Sequence, residues 1–202
     1  MKQEIKAAEC PVQGFPDAVH PTSGYAILAT MKARWNTPSY FESAAAADVA
    51  ADLKRGADPK ARDRGGATPL HHAVAWNSDP AVIGLLVSAG ADPSARTVNG
   101  ETPLHFAVML NNDPAVIGAL VESGSNPAIG DELGETPLHR AAATNDNPAV
   151  IEALLDAGAD PTAMDTWGRT PWERARHNNA IKGSCALRRL RPDDRVNTEK
   201  IR

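Results

Sequence analysis

The apolar positions of this chain recur in blocks of 34 residues through its middle. In each block, a short apolar run that begins Thr-Pro-Leu-His is followed by a polar corner and a second run that begins Ala-Val-Ile. The first run starts at Thr68, Thr102 and Thr136, and a degenerate copy starts at Thr170. A fixed period of this length indicates stacked units, each of which buries its apolar face against the next.

Each block carries start and stop signals for two helices. Thr68-Pro69 is typical of a helix start, because a hydroxyl caps the first turn and proline is favoured at its first position. Asp79-Pro80 gives the same signal for a second helix, where the helix dipole also favours a carboxylate. Gly90 marks the end of that helix. Helical spacing places three apolar residues of this second segment on one face: Val82, Leu85 and Leu86.

The repeated block resembles the ankyrin repeat, whose signature begins Thr-Pro-Leu-His-x-Ala and ends Gly-Ala-Asp. Gly90-Ala91-Asp92 and Gly158-Ala159-Asp160 match this ending, and Gly124-Ser125-Asn126 is a softened version. The family's usual period is about 33 residues. The additional residue here lies in the corner between the helices, a variant that resembles bacterial members. The resemblance implies an all-α ankyrin-repeat solenoid of stacked helix-turn-helix units with hairpin-like turns.

Five units are predicted between an N-terminal leader and a C-terminal tail. Residues 1–36 form an irregular leader or strap, with a short helix expected near residues 25–34, and residues 191–202 form the tail. The repeats occupy residues 37–190, divided into a cap at 37–67, internal units at 68–101, 102–135 and 136–169, and a cap at 170–190. In the last cap we expect a second helix from about Ala180 to Leu190. Terminal units depart from the motif because one face of each meets water.

Charge is unevenly distributed, although the net charge is only −4. Residues 68–169 hold thirteen acidic and three basic side chains, whereas residues 170–202 hold nine basic and four acidic ones. Charge runs of this kind are usually solvated, and the basic end lacks aromatic interleaving, so we expect no nucleic-acid partner. No apolar run approaches the about 20 residues of a membrane span or the core of a signal peptide. We therefore expect no membrane association and a cytoplasmic location, with a periplasmic or secreted chain left open.

The residue types that could carry chemistry do not form a catalytic or metal-binding pattern. His71, His105 and His139 occur once per unit, so stacking spaces them about 8–10 Å apart, too far to share a zinc ion. The resemblance implies a structural role for these histidines, bonded to the motif threonine and to neighbouring backbone. No nucleophile motif or phosphate-binding loop occurs. We expect no catalytic residue, no metal and no cofactor, and we predict that the chain is not an enzyme.

Recognition of another protein is the function that remains. In ankyrin-like folds, the partner usually meets the hairpin tips and the first-helix face on the concave side. Mapping those positions onto this chain gives eight candidate protein-binding residues: Trp76, Val98, Met109, Leu110, Leu133, Thr144, Met164 and Trp167. All but the threonine are apolar where a repeat of ordinary composition would be polar, and exposed apolar clusters indicate interaction surfaces.

The leading hypothesis is therefore a monomeric, non-catalytic module that binds a partner protein. One alternative is a self-masking regulatory or assembly element, in which the leader or the arginine-rich tail covers the same surface. A plainer interpretation is that the tips pack against each other. A second alternative is a secreted bacterial effector, in which the same fold binds a host protein.

Overall fold

The structure, a computed structural model, describes residues 34–192, and this part of the chain is helical, without a β-strand. The first unit contains α1 (Pro38–Ser43) and α2 (Ala46–Lys54). The internal units contain the pairs α3 (Pro69–Trp76) and α4 (Pro80–Ser88), α5 (Pro103–Leu110) and α6 (Pro114–Glu122), and α7 (Pro137–Thr144) and α8 (Pro148–Asp156). The last unit contains α9 (Pro171–Ala175), a 3-10 turn (Asn179–Ile181) and α10 (Cys185–Leu190). The predicted all-α repeat solenoid is confirmed.

The second helices begin as the sequence signals predict. The side chain of Asp79 accepts a hydrogen bond from the backbone N–H of Ala81 (2.9 Å), and Pro80 occupies the first turn of α4. Gly90 follows that helix with a φ of 102°, a left-handed conformation that glycine adopts without steric cost. Short polar caps and glycine stops therefore set the helix lengths before any packing is considered.

One apolar core runs through the whole stack. First helices pack on first helices (α1, α3, α5, α7, α9), and second helices pack on second helices (α2, α4, α6, α8, α10). The leucine of each Thr-Pro-Leu-His motif is fully buried. The same second-helix positions are buried in every internal unit: Val82, Val116 and Val150; Ile83, Ile117 and Ile151; Leu86, Leu120 and Leu154. Each unit thus obtains from its neighbours the burial that two short helices cannot provide for themselves.

Each motif histidine binds its own helix start and the next unit at the same time. The backbone N–H of Thr68 donates to Nδ1 of His71 (3.1 Å). Because Nδ1 accepts, the ring proton lies on Nε2, which donates to the carbonyl oxygen of Glu101 in the next hairpin (3.2 Å). The same bridge recurs further along the stack, from His105 to Glu135 (2.9 Å) and from His139 to Arg169 (3.0 Å). The histidines are therefore structural, as the resemblance implied.

The two end units carry a different residue at the position of this histidine. Tyr40 occupies the position in the first unit and donates to Asp52 Oδ2 (2.6 Å), within its own unit. The bond to the next unit comes instead from Asn36, whose Nδ2 donates to the carbonyl of Ala67 (3.1 Å). In the last unit, Glu173 Oε2 accepts from the N–H of Thr170 (2.7 Å). A carboxylate cannot donate onward, and the described residues contain no further unit to receive such a bond.

Asparagines join the units at the other end of the first helices. Asn111 Nδ2 donates to the carbonyl oxygens of Val74 (3.1 Å) and Asn77 (3.4 Å) in the preceding unit. Equivalent bonds run from Asn77 to Phe41 and Ala44, from Asn145 to Val108, and from Asn178 to Ala142 and Asn145. These asparagines lie in the corner where the period gains its additional residue. Sequence reasoning identified that corner as polar but did not assign it this role.

Replacing Asn111 by alanine is expected to lower the free energy of unfolding by about 1–3 kcal/mol. The residue is buried, and its loss leaves the last carbonyls of α3 without a donor. Urea denaturation of the full chain measures the change. The neighbouring Asn112→Ala variant is the control. The exposed Asn112 side chain bonds to the exposed Asp146, and its main-chain carbonyl, which accepts from Asn147, is retained in the variant. This substitution should cost less than about 0.5 kcal/mol. Equal losses of stability in the two variants would contradict a stabilising role for the asparagine bonds between units.

The last unit differs from its prediction. A continuous helix from Ala180 to Leu190 is wrong: the chain forms the short 3-10 turn, breaks at Gly183 and restarts as α10. Gly183 has a φ of 82°, which a helix does not accommodate. Ser184 then caps α10 by accepting from the N–H of Leu187 (3.1 Å). The tripeptide from Lys182 to Ser184 thus ends one helical segment and begins the next, and this signal is present in the sequence.

The described chain begins with residues that pack on the first unit. Trp35 is buried, its indole N–H donates to the carbonyl of Asp58 (2.8 Å), and its ring meets Tyr40 edge to face (5.3 Å between ring centroids). The helix predicted near residues 25–34 lies almost wholly outside the described residues. The predicted domain boundaries remain predictions.

Candidate protein-binding surface

The hairpin tips between the units form a backbone ladder along one edge of the stack. Each tip closes on itself; for example, the N–H of Thr97 donates to the carbonyl of Glu101 (2.9 Å). Neighbouring tips also bond to each other. The three inter-tip bonds are Val98 N–H to Gly65 O (2.9 Å), Glu132 N–H to Asn99 O (3.0 Å) and Thr166 N–H to Leu133 O (3.0 Å). Residues at equivalent tip positions are therefore held side by side.

Aspartates inside the tips fix the direction of the exposed residues. Asp131 Oδ1 accepts the N–H groups of Leu133 (2.8 Å) and Glu135 (2.9 Å). Asp165 Oδ1 does the same for Trp167 and Arg169 (2.9 Å each). Because these bonds are internal to each tip, Leu133 and Trp167 have a defined backbone orientation before any partner arrives.

Close packing of the tips requires a glycine at one position. Gly100 has a φ of 77°, and a Cβ added to it would lie 2.9 Å from the backbone nitrogen of Glu132 in the adjacent tip. A side chain at this position would force the two tips apart. The spacing of the tip residues is therefore set by backbone contact.

All eight predicted site residues are exposed. We call this set the ridge: Trp76, Val98, Met109, Leu110, Leu133, Thr144, Met164 and Trp167. The exposed fraction of its apolar members ranges from 43% for Leu133 to 69% for Met164. Within residues 34–192, these seven account for every large apolar side chain that is exposed. None lies on a second helix, so the large exposed apolar side chains are confined to the tips and the first-helix ends of the units.

The structure divides the ridge into two columns. One column consists of first-helix ends, where Trp76, Leu110 and Thr144 occupy equivalent positions in α3, α5 and α7, with Met109 beside Leu110. The other column consists of residues in and beside the tips, namely Val98, Leu133, Met164 and Trp167. An eight-residue helix is about 12 Å long, so a face of roughly that width separates the columns.

An arginine on that intervening face pairs with carboxylates from two neighbouring tips. Arg140 on α7 places Nη2 2.7 Å from Asp131 Oδ2 and Nε 2.7 Å from Glu135 Oε2. Its Nη2 is also 3.6 Å from Glu101 Oε1. The carboxylates of Asp131 and Glu135 are almost completely buried, so these pairs are shielded from solvent.

Two further arginines extend this network towards the last unit. Arg174 Nη2 lies 2.7 Å from Glu135 Oε1, and Arg169 Nη2 lies 2.8 Å from Asp165 Oδ2 and 3.6 Å from Glu135 Oε1. The network also contacts the ridge. Arg140 Nη1 is 3.7 Å from the sulfur of Met109. The Arg169 guanidinium is 4.5 Å from the ring centroid of Trp167, a cation–π distance.

Asp131 and Arg140 remain charged at neutral pH. Burial by itself raises the pKa of Asp131, but hydrogen bonds from Arg140 and from the N–H groups of Leu133 and Glu135 outweigh it and hold the pKa below its ordinary value. Burial acts to lower the pKa of Arg140, and the neighbouring carboxylates outweigh it and raise that pKa. The Asp131–Arg140 pair therefore fixes side chains in place, because neither of these two groups exchanges protons near pH 7.

Sequence reasoning missed this network, although the sequence contains a signal for it. Asp131 precedes Arg140 by nine residues, and Asp63 precedes His72 by the same interval, with His72 Nε2 3.0 Å from Asp63 Oδ2. The tip acid and the first-helix base thus pair at a constant spacing in two units. Aligning the repeats with one another would have revealed this constant spacing.

No cluster of three or more histidine, cysteine, aspartate or glutamate side chains between residues 34 and 192 has the arrangement of a metal site. Over the same range, none of the helices combines the length and the apolar character that crossing a bilayer requires.

Comparison with known proteins identifies the repeat. A search of the curated proteins found no match. The family model described as ankyrin repeats matches three overlapping stretches, residues 42–131, 75–165 and 104–187, which together span well over half of the chain. Ankyrin repeats are generally protein–protein interaction modules, and the helical units, tip ladder and motif histidines described above agree with the match. The chain therefore belongs to the ankyrin-repeat family.

Proposed function

We propose that this chain is a non-catalytic module that binds a partner protein through the ridge, on the concave face and the hairpin tips. The observation that carries the proposal is the one-sided distribution of exposed apolar side chains. Every large exposed one in the described residues lies on a tip or a first-helix end. A surface without a role would distribute such residues over second helices as well, where they are buried or half-buried instead.

The ridge is also held in shape before binding. The tip ladder fixes the backbone beneath Leu133 and Trp167, and the arginine network contacts Met109 and Trp167 from the intervening face. Binding then requires little ordering of the module, and pre-organisation reduces the cost of association. Aromatic residues are the usual anchors of such surfaces, which favours Trp76 and Trp167 as the residues that fill pockets on the partner.

Alanine at Trp76 or Leu110 is expected to weaken partner binding by at least about 2 kcal/mol, with little change in helicity. A pull-down with the intact chain identifies the partner, and calorimetry with the purified partner measures the affinity. Leu155→Ala on α8 is the matched control, because it removes the same side chain as Leu110→Ala from a partly exposed site outside the ridge. Leu86→Ala should instead lose about 2–5 kcal/mol of stability, because it creates a cavity in the core.

Several outcomes would count against the ridge. If Leu155→Ala weakens binding as much as Leu110→Ala, the partner contacts the second helices. If Trp76→Ala melts as badly as Leu86→Ala, its role is in the core. The self-masking alternative predicts tighter partner binding when residues 1–33 or 193–202 are deleted, whereas the ridge proposal predicts no change. A cytoplasmic location and a monomeric state remain predictions of the sequence alone.

A further inference from the structure

A groove in the last unit is lined by cations and an apolar floor. It has a volume of about 430 Å³ and lies between α9, the 3-10 turn and α10. Trp172, Ala175 and Leu187 contribute apolar surface. Four cationic residues also line it: Arg176, Lys182, Arg188 and Arg191. None of the ridge residues lines this groove, so it is a separate surface.

The four cations have no carboxylate partners within residues 34–192, where none of them forms an ion pair. The other described arginines near this end of the stack are paired: Arg140, Arg169 and Arg174 in the buried network, and Arg189 with Asp156 (2.8 Å). Among the described residues, no aspartate or glutamate lines the groove. Cations concentrated in a concave site raise the local potential and attract anions.

The shape of the groove favours a peptide over a nucleic acid. Its volume lies within the about 300–1,000 Å³ of ordinary ligand pockets. Non-specific binding of single strands depends on bases that stack on exposed aromatic rings. The one aromatic ring among the described lining residues, that of Trp172, is half-buried and already carries the Arg191 guanidinium 4.9 Å from its centroid. Carboxylates, by contrast, match arginine in a planar, two-point geometry.

We propose that this groove binds an acidic, extended segment of a partner protein. Carboxylates of the segment pair with Arg176, Lys182 and Arg188, and an apolar side chain of the segment lies against Trp172 and Leu187. The site supplements the ridge, and because it shares no residue with the ridge it can be tested independently of it.

The test uses a fluorescein-labelled hexapeptide of four glutamates and two leucines, titrated with the full chain and followed by fluorescence anisotropy. The glutamate peptide should bind, more weakly as salt is added, and the corresponding glutamine peptide should not bind. Arg188→Gln should raise the Kd about tenfold, the effect of losing one charge-assisted hydrogen bond. Arg189→Gln is the matched control, since it is adjacent and removes the same charge. Arg189 pairs with Asp156 outside the groove. The Kd of the peptide for this variant should therefore change less than about twofold.

The position of the peptide can be read from the tryptophan indole signals. The chain has four tryptophans, so a ¹H–¹⁵N spectrum contains four indole peaks, and Trp172→Phe identifies the one in the groove. The peptide should shift the Trp172 peak and leave those of Trp76 and Trp167 in place. If Arg188→Gln alters the melting temperature, Lys182→Gln replaces it with the same expected loss of affinity.

Four results would overturn the proposal. Equal weakening by Arg188→Gln and Arg189→Gln would show attraction by net charge alone. Shifts at Trp76 and Trp167 would place the peptide on the ridge. Tighter binding of an oligothymidine of equal charge would identify a nucleic-acid site. Peptide binding that appears only after residues 193–202 are deleted would make the chain's own tail the occupant.

Discussion

Acidification from pH 6.5 to 4 is expected to remove roughly 6 kcal/mol of unfolding free energy, mainly through two histidines. Burial lowers the pKa of His71 and that of His105 to about 4, although the hydrogen bonds to the carbonyls of Glu101 and Glu135 oppose it. In the unfolded chain both groups titrate near 6.5. Between these values the unfolded state binds protons that the folded state does not, so stability falls as the pH falls. Each histidine contributes roughly 3 kcal/mol, at about 1.4 kcal/mol per pH unit.

The bridging geometry explains why these rings resist protonation. Nδ1 of each histidine accepts the N–H of the motif threonine, so a second ring proton would place two donors face to face. The pKa of His139 is lowered by burial in the same direction. Asp131 and Asp165 affect stability in a different pH range. Because their pKa values lie below the ordinary 3.8, the stability that they add is lost only as the pH falls below about 4.

Urea denaturation at a series of pH values measures this dependence. The His105→Gln variant should be less stable than the natural chain at pH 7 and should lose stability less steeply between pH 6.5 and 4, by about one proton. An unchanged slope in this variant would show that other groups cause the acid sensitivity and that the ring titrates normally in the folded chain.

Replacing Arg140 by methionine is expected to lower the free energy of unfolding by about 3 kcal/mol. Methionine keeps much of the apolar stem, so the loss reports the guanidinium. Without it, the carboxylates of Asp131 and Glu135 remain buried with fewer counter-charges. The loss of stability should lie at the lower end of the range for a broken buried ion pair, because Arg169 and Arg174 stay beside Glu135.

Arg189→Met provides the control for this experiment. Arg189 pairs with Asp156, whose side chain is 70% exposed, and exposed pairs contribute at most about 1 kcal/mol. Chemical denaturation of both variants at low and high salt separates the two kinds of pair, since added salt should weaken the exposed pair much more than the buried ones. A loss for Arg140→Met no larger than for Arg189→Met would mean that the buried network contributes nothing to stability.

The internal units could be predicted from the sequence because their signals are local. Thr68-Pro69 and Asp79-Pro80 set helix starts through groups within the same turn, and Gly90 ends a helix through its own φ. The last unit was harder to predict because its helix is broken at Gly183, and an arginine-rich, leucine-containing segment reads as one continuous helix. There the turn signal was present but was outweighed by helical periodicity.

The exposure of the ridge was also predictable, because equivalent positions in stacked units have equivalent surroundings. The charged network was not predicted, since Glu135 and Asp131 have the composition of surface tip residues and become buried only when α7 and α9 pack beside them. The Asn111 bonds likewise depend on carbonyls in another unit. Side-chain pairing across units requires the register of the stack, which a single segment does not contain.

The bridging bonds have a consequence for how the stack can change its length. Each motif histidine and each asparagine that joins two units bonds to a main-chain carbonyl, which every unit possesses whatever its side chains. Excision of residues 102–135 as a block would leave His71 opposite the carbonyl of Glu101 and bring Asn145 to that of Val74. The bonds to main-chain carbonyls therefore survive the duplication or loss of a whole unit, whereas the Asp131 and Glu135 carboxylates that pair with Arg140 would be lost with this block. Ridge residues are free to diverge from one copy to the next, so new binding specificity can accumulate while the scaffold stays constant.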